Sequence, residues 1–257
     1  MRWSALLLPC VGLASAVSAA DLPDLKAKGA FKVIAQRDEA PEMFSFVATG
    51  APGFEREMIE GFGRLHGLKI ETLAVKTSDE RIPALTRGEG DVIVGIVETE
   101  ARQKLVDFTV EVIPARHLVV SRKPKVLKTV EEFQAEKVGV VKGTSWAAAA
   151  LEAGVPAAKT EFYPDRDVLL AALKAGKITA TVMTVSDFTL AAKRDADLVG
   201  GVFVGPAASA GWAVRKDDKQ LRAALNEYLE NFRKGPSWSR LVVKYFGEQA
   251  LAVLGRK

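Results

Sequence analysis

Residues 91–97, DVIVGIV, are apolar at almost every position instead of alternating with polar side chains. A strand with one face in water alternates. A run without alternation suits a strand buried on both faces, as in a mainly parallel sheet covered by helices. The surrounding sequence agrees. FKVIA (31–35) and KIETLAV (69–75) read as strands, and between them GFEREMIEGFGRLHGL sets Phe54, Met58, Phe62 and Leu65 at helical spacing, with Gly67 placed to end the helix. A short helix at ERIPALTRGEG leads into DVIVGIV. The alternation then restarts with HLVVSR, TVEEFQAE, KVGVV, SWAAAALEAG, TEFY, RDVLLAALKAGK and TATVM. Beyond SAGWAVRKDD the chain reads as two helices, one with Leu221, Leu225, Tyr228, Leu229 and Phe232 on one face, the other at WSRLVVKYFG. Such alternation is the mark of an α/β architecture.

The first twenty residues, MRWSALLLPCVGLASAVSAA, carry a charge at Arg2, an apolar run from Leu6 to Val17, and small residues Ser18, Ala19 and Ala20. They read as a secretory signal peptide cleaved between Ala19 and Asp21, because a membrane span needs roughly 20 apolar residues. Cys10 is a poor lipidation site, since only Ala5 to Pro9 separate it from Ser4. The expected mature chain therefore has no cysteine, and neither disulfides nor thiol chemistry are available to it. Its length suits one large domain or two modest ones. The formal charge of +4 is spread without a basic block, so nucleic acid is not implied. His66 and His117 are isolated, which gives no metal constellation, and neither a GxSxG elbow nor a GxxxxGK[ST] loop is present. No cofactor is expected.

Several segments together resemble the periplasmic solute-binding proteins of polar amino-acid ABC transporters, the bacterial extracellular solute-binding protein family 3. They are GFEREMIEGF, IPALTRGEGDVIVGIVETEARQKLVDFT, KVGVVKGTS and KYFG, which occur in that family's order between Phe31 and Gly247. The resemblance implies a two-lobed type II periplasmic-binding fold with a ligand cleft between the lobes. Its expected divisions are 1–20 for the signal peptide, 21–116 for the first part of lobe 1, 117–212 for lobe 2, and 213–257 for the helices returning to lobe 1. Hinge crossings are expected near Ala115–Leu118 and Ala210–Val214. The implied protein is a periplasmic monomer that captures a small ligand bearing a carboxylate and passes it to a transporter permease.

By the same resemblance, Arg102 matches the arginine that grips the ligand carboxylate, although a solvated arginine is the plainer reading. A guanidinium fits two carboxylate oxygens at once. Gly95 stands where a backbone group meets the ligand's polar head, and Val97 stands where the family usually has a hydroxyl. Thr144 and Ser145 fall at the start of the first ligand-facing helix of lobe 2, where free N–H groups favour an anion, and either residue serves equally as a plain N-cap. Asp38 falls where the family reads the distal end of its ligand, with Phe44 as an apolar wall; a loop carboxylate and a core ring are the alternatives. Thr184 replaces the aspartate that receives an ammonium, and Ser78 replaces a stacking aromatic. These two departures place zwitterion recognition in question, with Glu98 or Asp187 as substitute counter-charges.

The sequence leaves two other functions open. One is an enzyme on the same fold, resembling periplasmic cyclohexadienyl dehydratases, with Asp38, Glu98 or Asp187 as proton donor. The other is a sensory or accessory binder serving a receptor or a periplasmic oxidase.

Overall fold

The computed structural model describes residues 21–254. The expected signal peptide and Cys10 lie outside the described residues. The strands are β1 (Ala30–Gln36), β2 (Lys69–Val75), β3 (Val92–Val97), β4 (Asp107–Phe108), β5 (Ile113–Pro114), β6 (His117–Arg122), β7 (Val138–Val141), β8 (Thr160–Tyr163), β9 (Ala180–Thr184), β10 (Leu198–Val204) and β11 (Ser209–Val214). They form two sheets. The first runs β2-β1-β3-β11-β4 with β5 also on β11, and the second runs β10-β6-β9-β7-β8. In the first sheet β2, β1 and β3 are parallel and β11 is antiparallel to β3. In the second β8, β7 and β9 are parallel, and β6 is antiparallel to both β9 and β10.

The DVIVGIV run is buried on both faces, as its pattern requires. Val92, Val94 and Val97 point into a core with Phe31, Phe54, Phe62 and Trp212, while Ile93 and Ile96 meet Ile34, Leu85, Val106 and Ala213 on the other side. Burying each such side chain contributes about 1.5–3 kcal/mol, so a single polar replacement here would be costly. The second sheet has its own core of Val119, Val120, Phe133, Val138, Val140, Leu169, Val182 and Met183. Separate cores make two lobes.

The C-terminal helices return to the first lobe. Lys219–Lys234 buries Leu221, Leu225 and Leu229 with Tyr228 and Phe232 half-buried, and Pro236–Phe246 sets Trp238 and Phe246 against Phe54, with ring centroids 5.5 and 5.2 Å away. Gly67 ends the helix Phe54–His66 at φ 67°.

Between the sheets the chain passes over residues 115–116 and again over residues 205–208. The second passage falls before the expected 210–214. Those residues are β11, whose Ala210 and Gly211 pair with Val97 and Ile96 while Trp212 is buried in the first core. Sequence patterning also overlooked β10. LVGGVFV is an edge strand whose register shifts between Gly200 and Phe203, so its side chains keep no simple period. Among the described residues no helix is long and apolar enough to cross a membrane.

Candidate functional site

Parallel strands direct the loops that follow them toward one edge of the sheet, and ligands in open α/β folds sit at that carboxyl edge. Both sheets present this edge to the same cleft, a space of about 550 Å³ counting its open mouth. From the first lobe come Gln36, Asp38 and Glu39 after β1, Ser78 and Arg81 after β2, and Gly95, Val97 and Arg102 around the end of β3. The second lobe adds Thr144, Ser145 and Trp146 after β7, Arg166 after β8, and Thr184 and Asp187 after β9.

Arg102 is held by backbone oxygens. Its Nη1 donates to the Val97 carbonyl at 2.7 Å, and its Nη2 reaches the Gly143 carbonyl of the second lobe at 3.3 Å. Among the described residues no carboxylate pairs with it. Burial, followed by the like charge of Arg81, pushes its pKa down to about 9. A cation held this way is pre-positioned for an anion. Val97 contributes its carbonyl, since its side chain is a buried part of the core. Gly95 has φ +58°, a left-handed conformation that glycine adopts without strain, and its carbonyl accepts from Arg81 Nη1 at 3.3 Å.

Thr144 caps the helix Ser145–Glu152, with its Oγ1 accepting from the Ala147 N–H at 3.4 Å and donating to the Val141 carbonyl at 2.7 Å. The N–H groups of the first helical turn have no intrahelical acceptor and open toward the cleft. Ser145 Oγ lies 2.9 Å from His117 Nε2. Burial and then Arg102 push the His117 pKa down to about 4, so the imidazole is neutral at physiological pH and serves as a packing and hydrogen-bonding group.

Thr184 offers no charge, but it caps the helix Val185–Arg194 and folds Asp187 back onto itself. Its Oγ1 accepts from the Asp187 N–H at 3.2 Å and donates to Asp187 Oδ2 at 2.5 Å. A carboxylate thus stands in the cleft three residues beyond the position first considered. Glu98 does not reach it. Gln103 at 2.7 Å and Ser209 at 3.2 Å hold that carboxylate beside the hinge.

Asp38 links the lobes: its Oδ2 accepts from the Arg166 N–H at 3.3 Å and its carbonyl accepts from Arg166 Nη2 at 3.1 Å, while its Oδ1 is buried without a hydrogen-bond partner. Phe44 is not at the cleft. Its ring is 1% exposed inside the first lobe, 5.1 Å from the ring of Phe46, because an apolar ring there gains more from the core than from a polar opening.

Sequence reasoning missed Gln36, Glu39, Arg81, Trp146 and Arg166. The usable signal was position, since each lies at or just beyond a strand's carboxyl end. Trp146 provides an aromatic wall from the second lobe, and Ser78, buried opposite, bonds Arg81 Nη2 through its Oγ at 2.7 Å. Burial raises the pKa of both Glu39 and Asp187; for Glu39 the Asp187 charge adds to the effect.

Comparison with known proteins fits this geometry. The chain is 26% identical over 234 residues to the membrane-bound lytic murein transglycosylase F of Pseudomonas putida, a match covering 88% of this chain and 48% of that one, so it spans about half the length of that relative. It is 29% identical over 182 residues to the histidine-binding periplasmic protein of Escherichia coli, covering 65% and 69% of the two chains. Among solved structures it is similar to an ancestral arginine-binding protein bound to arginine (TM-score 0.74, 26% identity, 85% and 99% covered). It is also similar to an ancestral amino acid-binding protein described as a precursor of cyclohexadienyl dehydratase (TM-score 0.78, 26% identity, 88% and 99% covered). Residues 31–248 match the family model itself, and the chain belongs to the bacterial extracellular solute-binding proteins, family 3.

Proposed function

We propose that this protein is a binding receptor that closes on an α-amino acid in the periplasm and hands it to an ABC transporter. The observation that carries the reading is Arg102, an arginine with no carboxylate partner among the described residues that spans from the first lobe to the Gly143 carbonyl of the second. A ligand carboxylate would take both its guanidinium and the free N–H groups at the start of the Ser145–Glu152 helix. Contacts to both lobes favour the closed form, and only such contacts shift the balance between open and closed. The ligand ammonium would be received by Asp187 and by the unpartnered Oδ1 of Asp38, with Trp146 packed alongside.

Calorimetry with a panel of amino acids tests this. Arg102→Ala is expected to weaken binding by about 100-fold or more, from the loss of charge-assisted bonds contributing about 1.5–3 kcal/mol each, while circular dichroism stays unchanged. Wild-type affinity in that variant would overturn the assignment.

One observation favours a second reading. Glu39 lines the cleft with its pKa raised by burial, a property suited to a proton donor in a dehydratase. Turnover of prephenate or arogenate by the purified protein, lost in Glu39→Gln, would establish that reading in place of the first.

A further inference from the structure

The amino-acid reading leaves Arg81 without a role. Its side chain is 5% exposed, lines the cleft, and leads into the helix Arg81–Thr86. The guanidinium has five N–H donors. Nε faces the Ser78 carbonyl at 3.4 Å, Nη2 the Ser78 Oγ at 2.7 Å and Nη1 the Gly95 carbonyl at 3.3 Å. Two donors remain, and every bonded partner is neutral. The charges of Glu39, Asp38 and Asp187 reach Arg81 through space, yet none of the three forms an ion pair with it.

Arg81 and Arg102 rest on carbonyls two residues apart along β3, those of Gly95 and Val97. Two guanidiniums held on nearby carbonyls, with burial and then the charge of Arg81 lowering the pKa of Arg102, suit a molecule with an acidic group at either end. Resting on the amino-acid reading above, we propose that Arg81 is the specificity-determining residue of the cleft and receives a second carboxylate, so that the ligand is an acidic α-amino acid of the glutamate or aspartate kind.

The remaining charges are consistent with this. Arg81, Arg102 and Arg166 face Asp38, Glu39 and Asp187, and the raised pKa values of Glu39 and Asp187 mean that this pair holds a proton more readily than isolated carboxyls do. Each proton held there leaves the three arginines in excess by one charge, which favours an anionic ligand.

The acid-to-amide ratio of affinities reads the proposal directly, because L-glutamine and L-asparagine are near-isosteres lacking only the charge. Calorimetry of the wild-type protein should favour L-glutamate over L-glutamine, or L-aspartate over L-asparagine, by about 10- to 100-fold. Arg81→Met should bring that ratio to within about threefold, and Arg81→Lys should restore part of it. A wild-type protein that binds an amide or a cationic amino acid as tightly as the acid overturns the proposal, whether or not Arg81→Met folds; so does an unchanged ratio in a folded Arg81→Met. The two readings fail differently. If amino acids bind through Arg102 but the ratio is near one, only the role of Arg81 is lost; if no amino acid binds, both are.

Discussion

Two sets of arginines in the first lobe have opposite surroundings. At the base of the sheet, Arg215 is 11% exposed, forms ion pairs with Asp218 at 2.9 Å and Asp91 at 3.7 Å, and donates to the Gly90 carbonyl at 2.7 Å. At the cleft, Arg81 and Arg102 donate to backbone and hydroxyl oxygens and, among the described residues, have no carboxylate in ion-pair contact. Both places withdraw a guanidinium from water, and only the first pairs it directly with a carboxylate. A charge paired directly helps hold the fold together; one without an ion pair at a lobe boundary is, on the receptor reading proposed above, available to a ligand carboxylate.

That contrast can be broken by experiment. Arg215→Ala should cost about 3–5 kcal/mol of stability by stranding buried Asp218, seen as a fall of about 10 °C in melting temperature, with ligand affinity retained in the folded fraction. Arg102→Ala should do the reverse; equal thermal effects from the two would erase the distinction. Gly143→Ala comes next. Gly143 sits at φ +74°, and an added Cβ would lie 3.0 Å from the Asp79 Cβ across the cleft, so ligand affinity should fall by about tenfold and small-angle scattering should show a larger radius with ligand present than in wild type.

A smaller effect concerns Glu55, 1% exposed beneath Gly95 and bonded to Trp212 Nε1. Burial pushes its pKa up to about 8 from an ordinary 4.5. The folded state therefore binds the proton more tightly than the unfolded chain does, and stability falls as pH rises from about 4.5 to about 8. In Glu55→Gln the melting temperature should decline less between pH 5 and pH 8 than in wild type. An identical slope would show that this carboxyl does not titrate there. The least effect belongs to Thr144→Ala, which should lose about 1 kcal/mol with its helix cap.

Much of the fold was legible because it depends on local pattern. The unbroken apolar run at 92–97, the helical spacing of Phe54, Met58 and Phe62, and the glycine at 67 each encode their own structure. The cleft was legible only in part. Arg102, Thr144 and Ser145 lie in recognisable motifs, whereas Arg81, Arg166 and Glu39 are ordinary polar residues that become neighbours through strand order alone. Thr184 shows a different limit. Its loss of charge was visible and Asp187 stood beside Glu98 as a substitute, but the choice between them depends on a cap that folds Asp187 back onto Thr184 over one helical turn, a contact that strand-end position alone does not specify.

The bonds between Asp38 and Arg166 are made wholly of protein atoms, yet they clasp one lobe to the other. If the protein hands its ligand to a transporter, as proposed, that transporter would have to tolerate a background of shut but unladen copies, and the strength of the clasp would set how loud that background is. Loosening it would sharpen the signal at the expense of tightness.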